Sequence, residues 1–238
     1  MSEEQSYVKE IITDESKLRE VCRALDYKKD GAELRETILA LKKTMEANNL
    51  VILSAPQIGI YNRVFCIKDK NEYKTFLDPF VEKATQFAFS RESDECFPEK
   101  EYLYPRNARI VLDYIETKTG GYEKVELAGF NAFAVQRMIN HFDGILNSDI
   151  GLEIDEQWDQ ATEDERAEVL KAYADALAKA GEKANAEIEQ DETLSKQMKA
   201  IEFVHGVTTG EVQIEQREVT DEEKQKIEEK LKESNPEE

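Results

Sequence analysis

The chain has 238 residues, of which 35% are charged, and its net charge of −20 is uneven: residues 151–238 hold 11 basic and 26 acidic side chains, leaving 21 and 26 for residues 1–150. A chain this acidic, with no basic cluster, repels phosphate backbones and excludes nucleic acid as a partner; the acidity reads more readily as a solvated helical surface than as a dock for a basic protein. Cys22, Cys66 and Cys96 have no C-x-x-C spacing, no apolar run approaches about 18 residues, and the start at Met1 carries no basic and apolar leader pattern. This excludes a disulfide framework, a zinc ribbon, a membrane span and a signal peptide, and it predicts a cytoplasmic setting.

The length fits one ordinary domain plus an appendage, and the change of composition near residue 150 predicts a domain over 1–150 and an acidic helical extension over 151–238. Asp30 and Glu33 stand at capping-box spacing before Leu34, Ile38, Leu41 and Met45, which predicts an amphipathic helix over 31–47. Leu50–Leu53 and Arg63–Ile67 are short β-branched and aromatic runs separated by Ala55-Pro56-Gln57-Ile58-Gly59, so they read as two strands joined by a loop. Residues 109–115 and 122–127 flank Lys118-Thr119-Gly120-Gly121 and predict a hairpin. A helix over 131–142, ended by Gly144, follows. The order predicts an α+β domain in which one helix packs on an antiparallel or mixed sheet. Beyond it, Thr162 and Glu165 form a second capping box opening a long Ala, Glu and Lys-rich helix over 162–189, whose stripe Leu170, Tyr173, Leu177 suits packing along another surface or a protein partner. Mixed charges on its polar face argue against a membrane helix. A short alternating run at Val212–Ile214 and a third helix opening at Thr220, with Ile227 and Leu231 as its apolar pair, complete the chain.

Residues 136–144, Gln-Arg-Met-Ile-Asn-His-Phe-Asp-Gly, have the outline of an H-E-x-x-H metal helix, in which two His at i and i+4 bind a divalent metal and the Glu beside the first acts as general base. His141 stands at the second His position, Arg137 at the first and Met138 at the Glu. Together with Leu50–Gly59, whose Ala-Pro-Gln-Ile-Gly half is intact, and with Asp94-Glu95-Cys96-Phe97-Pro98, this order of motifs resembles the peptide deformylase family over about residues 8–148. Arg106 and Gly129-Phe130-Asn131-Ala132 are similar to further positions of that family, and Asp78-Pro79 resembles its Asn-Pro strand start.

The resemblance implies a deformylase-like α+β fold and, in working members, removal of the formyl group from the N-terminal methionine of nascent chains. There, one Cys and two His hold Fe2+ or Zn2+ with an open position for an acidified water, a Glu takes its proton, and a Gln amide with a backbone N–H stabilises the oxyanion. By the same resemblance Cys96 and His141 match two ligands, and Gln57 and the Phe97 N–H match the oxyanion donors. Read from the residues alone, Cys96 is more readily a buried small apolar side chain, His141 a hydrogen-bonded core histidine and Gln57 a residue holding the shape of its loop. Arg137 has no lone pair to donate and stays charged, Met138 removes the base, and Asn140 removes a carboxylate near the ligands. Leu50 and Ile52 stand where the family has glycines beside the substrate backbone. The expectation is therefore a degenerate, non-catalytic relative with no metal or other cofactor, in a structural or interaction role; a component of a virus particle assembled in the cytoplasm, or of another large assembly, is one concrete form. The alternative is a metal-dependent peptide deformylase carrying Fe2+ or Zn2+. His205 has no ligand-like neighbour in the sequence.

Overall fold

The computed structural model describes residues 7–70 and 72–190. The chain divides into two compact units, residues 1–166 and 167–238. The calls on His205, Val212–Ile214 and the helix opening at Thr220 lie outside the described residues.

The first unit is built on an antiparallel sheet in the order β1-β2-β3-β4-β5, with β6 also paired to β4. β1 is Ile52–Ser54, β2 Val64–Asp69, β3 Glu72–Asp94, β4 Phe97–Glu116, β5 Tyr122–Ala128 and β6 Leu152–Ile154. Two helices carry the core, α2 (Gly31–Asn48) and α3 (Phe130–Phe142), with short helices at α1 (Glu15–Leu18), α4 (Asn147–Ile150) and α5 (Glu156–Gln160). A single helix on the sheet was expected; instead α2 and α3 bury separate sets of sheet residues. Ile52, Phe65, Phe76, Ile110 and Leu112 pack with Ala132, Val135, Met138 and Phe142 of α3. Their strand neighbours Leu53, Val64, Cys66 and Leu77 pack with Leu34, Leu41 and Met45 of α2. Successive strand residues point to opposite faces, so the unbroken apolar runs in β1 and β2 are what a sheet covered on both sides requires.

The sequence expectations need three local corrections. Asp30 precedes α2 without a side-chain capping bond; its carboxylate accepts from the Asp26 N–H (2.9 Å) and pairs with Arg23 (3.3 Å), while Glu33 accepts from Asn62 (3.1 Å). Asp78-Pro79 does not start a strand but sits in a bulge within β3, where the pairing with β4 shifts between Leu77 and Phe80. Asp78 takes a left-handed backbone (φ 44°), its N–H donates to the Arg63 carbonyl (2.8 Å), and Arg63 Nε donates back to its carboxylate (3.0 Å). Third, β4 runs far beyond its predicted arm of 109–115 and pairs with a long strand, β3, that was not predicted and whose alternation bulges interrupt.

The expected hairpin between β4 and β5 forms with Ile115 opposite Tyr122 and Arg109 opposite Ala128. β2 pairs with β3 only as far as Leu77, so beyond that point the same edge of β3 carries no strand partner among the described residues. Along it the register shifts again between Val81 and Lys83, and Gln86 has a positive φ of 62°. α3 ends at Gly144, which adopts φ 68°; a Cβ there would lie 2.4 Å from the Arg19 carbonyl oxygen, so only glycine fits.

Helix α6 (Glu163–Gln190) opens with the expected reciprocal cap: the Glu165 carboxylate accepts from the Thr162 N–H (2.8 Å), and Thr162 Oγ1 accepts from the Glu165 N–H (3.3 Å). No helix among the described residues is long and apolar enough to cross a membrane.

Candidate functional site

Four segments converge on one carboxylate. β3 ends at Asp94, a two-residue turn carries Glu95 and Cys96, and Phe97 opens β4 opposite Asp94. Arg137 and His141 lie one helical turn apart on the buried side of α3. The fourth segment is the 3-10 turn Ala55–Ile58, fixed by a capping box between Ser54 and Gln57 that an S-x-x-Q spacing encodes.

Asp94 accepts from the Cys96 N–H (2.8 Å), from Gln57 Nε2 (3.2 Å) and from His141 Nε2 (2.7 Å). Burial by itself pushes this carboxyl upward, but His141 and then Arg137 outweigh it and hold Asp94 well below the usual carboxylate range. The other imidazole nitrogen, Nδ1, lies 3.1 Å from Ser54 Oγ. Gln57 is fully engaged: its oxygen accepts from the Ser54 N–H (2.9 Å) and hydroxyl (3.0 Å), and its nitrogen reaches Asp94 and Glu95 (3.2 Å each). An amide so committed has no donor left for an incoming oxyanion.

Arg137 is only 8% exposed. Its Nη1 donates to the Ser93 carbonyl, while its approaches to carboxylates are long: Nε to Asp94 at 4.0 Å and Nη2 to Glu95 at 3.7 Å. The buried Nε has no hydrogen-bond partner among the described residues. Met138, where a base was sought, is wholly buried in the apolar cluster under α3. Ile52 is absorbed into the same cluster, and Leu50 is half buried beside the cluster under α2.

A second buried ion pair lies alongside. Arg106 holds Glu92 through Nε and Nη2, both at 2.8 Å, with side chains 2% and 5% exposed. Its guanidinium also stacks 3.8 Å from the Tyr104 ring centroid. In the orientation that satisfies both amide atoms, Asn140 accepts from Arg106 Nη1 (3.0 Å) and the Tyr104 hydroxyl (2.8 Å) and donates to the Gln136 carbonyl (3.2 Å).

The metal that the family would supply does not fit this donor set. Arg137 offers no lone pair and stays charged, and His141 Nε2 already donates to Asp94. Among the described residues no group of three or more His, Cys, Asp or Glu is placed to hold an ion. A cavity of about 110 Å³ reaches the cluster, lined by Asp94, Cys96 and His141 together with Leu18, Phe97 and Leu146.

The structure thus brings together Gln57, Cys96, Arg137 and His141, as the motifs implied. Sequence reasoning missed Glu92 and Ser54. Ser54 carried a signal in its capping spacing to Gln57; Glu92 carried none, since its pairing with Arg106 depends on the register of a hairpin longer than its alternation announced.

The polypeptide deformylase family profile matches residues 8–153. The peptide deformylase of Thermotoga maritima is 31% identical over 125 residues, covering 52% of this chain and 76% of that protein. Peptide deformylase 1 of Clostridium perfringens is 26% identical over 135 residues, covering 56% and 90%. The crystal structure of the Thermotoga maritima peptide deformylase superposes with a TM-score of 0.54 at 28% identity, covering 60% of this chain and 96% of that one. The deformylase of the Vibrio parahaemolyticus bacteriophage VP16T, in complex with actinonin, shares the fold at 20% identity, with a TM-score of 0.51 over 57% of this chain and 98% of that one.

Proposed function

Because the chain belongs to the polypeptide deformylase family, we propose that it is a deformylase-fold protein whose former metal centre has become a buried polar cluster, and that it acts as a structural or protein-binding module. One observation carries this reading: a buried guanidinium, that of Arg137, stands 3.7 Å from Glu95 and 4.0 Å from Asp94, one helical turn from His141. A fixed positive charge opposes a divalent ion at that point, and two remaining ligands do not make the three-ligand open site of a metallohydrolase. The Met138 position adds a second, independent loss, because general-base groups are commonly worth ~10²–10⁴ in rate. What the retained residues do instead is tie β1, the β3–β4 turn and α3 together through Asp94.

The acidic helix over 162–189, with its stripe Leu170, Tyr173 and Leu177, is the segment we assign to partner contact, in the cytoplasm or in a particle assembled there. The names of the relatives favour a second reading, a working peptide deformylase with an altered ligand set. Metal content of the purified protein and hydrolysis of a formyl-Met peptide separate the two. We expect substoichiometric metal and no turnover above background; about one tightly held transition metal per chain with formyl release would establish the second reading.

A further inference from the structure

The cavity that reaches Asp94 has one wall outside the polar cluster. Leu18 of α1, Phe97 and Leu146 line it there and, with Cys96, form a small apolar core of their own. Asn147, the first residue of α4, belongs to the same wall. Its side chain is buried, the residue being 7% exposed, and its Nδ2 has no hydrogen-bond partner among the described residues. A buried amide nitrogen left unpaired is costly, so an acceptor oxygen held in the cavity stabilises this wall. The opposite wall offers the converse. A carboxylate has about four acceptor positions, and Asp94 fills two at Oδ1, with the Cys96 N–H and Gln57, and one at Oδ2, with His141. Only the Cys96 thiol, a weak donor, competes for the fourth. The charges at the rim are already balanced, Glu15 by Arg19 (2.6 Å) and Lys100 by Glu153 (3.2 Å). His141 and Arg137 hold Asp94 ionised, so the interior presents one negative charge and repels a second.

We infer that this cavity binds a short aliphatic primary amide, its carbonyl oxygen accepting from Asn147 Nδ2, its N–H donating to Asp94 and its alkyl end lying against Leu18, Phe97 and Leu146. A primary amide carries its acceptor and its donor on different atoms and so meets both walls, whereas a hydroxyl must serve both through one oxygen. A cavity of about 150 Å³ is enough for benzene, so about 110 Å³ limits the ligand to about five non-hydrogen atoms. Neither contact draws on a metal or on the protein-binding role proposed above.

The test titrates the full-length native chain and Asn147→Leu with propionamide and with propionate, which has the same size and shape but a negative charge, and follows backbone amide shifts by NMR. We expect propionamide to saturate the native chain, with the shifts concentrated at Leu18, Phe97, Leu146 and Asn147. Propionate should bind at least about 10-fold more weakly, since it exchanges a hydrogen bond to Asp94 for a like-charge contact. Asn147→Leu keeps the side-chain size and removes the unpaired nitrogen; it should unfold at no lower urea than the native chain and bind propionamide at least about 10-fold more weakly, the scale of one buried hydrogen bond. Should Asn147→Leu not fold, the amide and the carboxylate on the native chain decide the matter by themselves. No saturable shift with propionamide means that the cavity holds water only and overturns the assignment. So do equal affinities for the two ligands, shifts centred elsewhere, or unchanged affinity in folded Asn147→Leu. Each of these outcomes leaves the proposed function standing, whereas turnover of a formyl-Met peptide sinks that function without moving the propionamide result.

Discussion

Glu92 with Arg106 and Asp94 with Arg137 are two buried acid–base arrangements whose carboxylates lie two residues apart near the end of β3, and they differ in almost every respect that decides energy. The first is bidentate, nearly inaccessible to solvent and backed by a tyrosine ring. In the second, the carboxylate is satisfied by an imidazole, an amide and a backbone N–H, while the guanidinium is left at long range. An ion pair whose geometry is ideal depends on both partners. A cluster centred on one buried but fully hydrogen-bonded carboxylate depends mostly on that carboxylate and only weakly on the cation beside it.

The largest expected effect follows from the better pair. Glu92→Gln leaves Arg106 buried without its counter-charge and should cost about 3–5 kcal/mol in urea unfolding; a loss below about 1 kcal/mol would show that the two arrangements are not different in kind. Asp94→Asn removes the hub's charge but keeps a hydrogen-bonding side chain, and a loss of about 2–3 kcal/mol is expected, the scale of charge-assisted bonds. Arg137→Gln should cost less, about 1–2 kcal/mol, because Asp94 retains His141. A loss equal to that of Glu92→Gln would erase the contrast.

The pH dependence sharpens it further. The folded Asp94 carboxyl lies below its unfolded value, so its contribution is complete above the unfolded carboxylate range near pH ~4 and is lost as pH falls through the lower folded value. The stability gap between the native chain and Asp94→Asn should therefore be constant from neutrality to about pH 4 and close below it. A gap that closes near pH 6 would assign it to another group. The smallest effect concerns thiols. Burial pushes Cys22 up to about 12 and Cys66 up to about 11, with Cys96 higher still, so a thiol reagent at pH 8 should label the cysteines slowly in the native protein and fully in denaturant.

Much of this was legible in the residues. Helix α2, the β4–β5 hairpin and α3 follow from periodicity and turn chemistry, and the capping box at Thr162 and Glu165 forms as written. The site residues Gln57, Cys96, Arg137 and His141 were brought together by motif order rather than by spacing, since 37 to 87 residues separate the partners that meet. Two things resisted reading. Apolar runs such as Arg63–Ile67 signalled strands without revealing that both faces are covered, so the packing of α2 on the face opposite α3 was not foreseen. The long β3 and β4 strands were hidden because bulges at Asp78 and Glu82 shift the side-chain phase, and a period-of-two search loses the strand where the phase slips.

Those same irregularities have a consequence for how the protein keeps company with copies of itself. Past Leu77 the outer border of β3 offers open backbone groups and an exposed Phe87, the kind of ribbon on which another extended chain can template itself into a growing ladder. The phase slip at Glu82 and the left-handed Gln86 interrupt that ribbon's regular pleat in its middle, one of the ways an edge strand is made a poorer template. The kinks that obscure the strand to a reader of the sequence are also what hold it back from crystallising into fibrils with its neighbours.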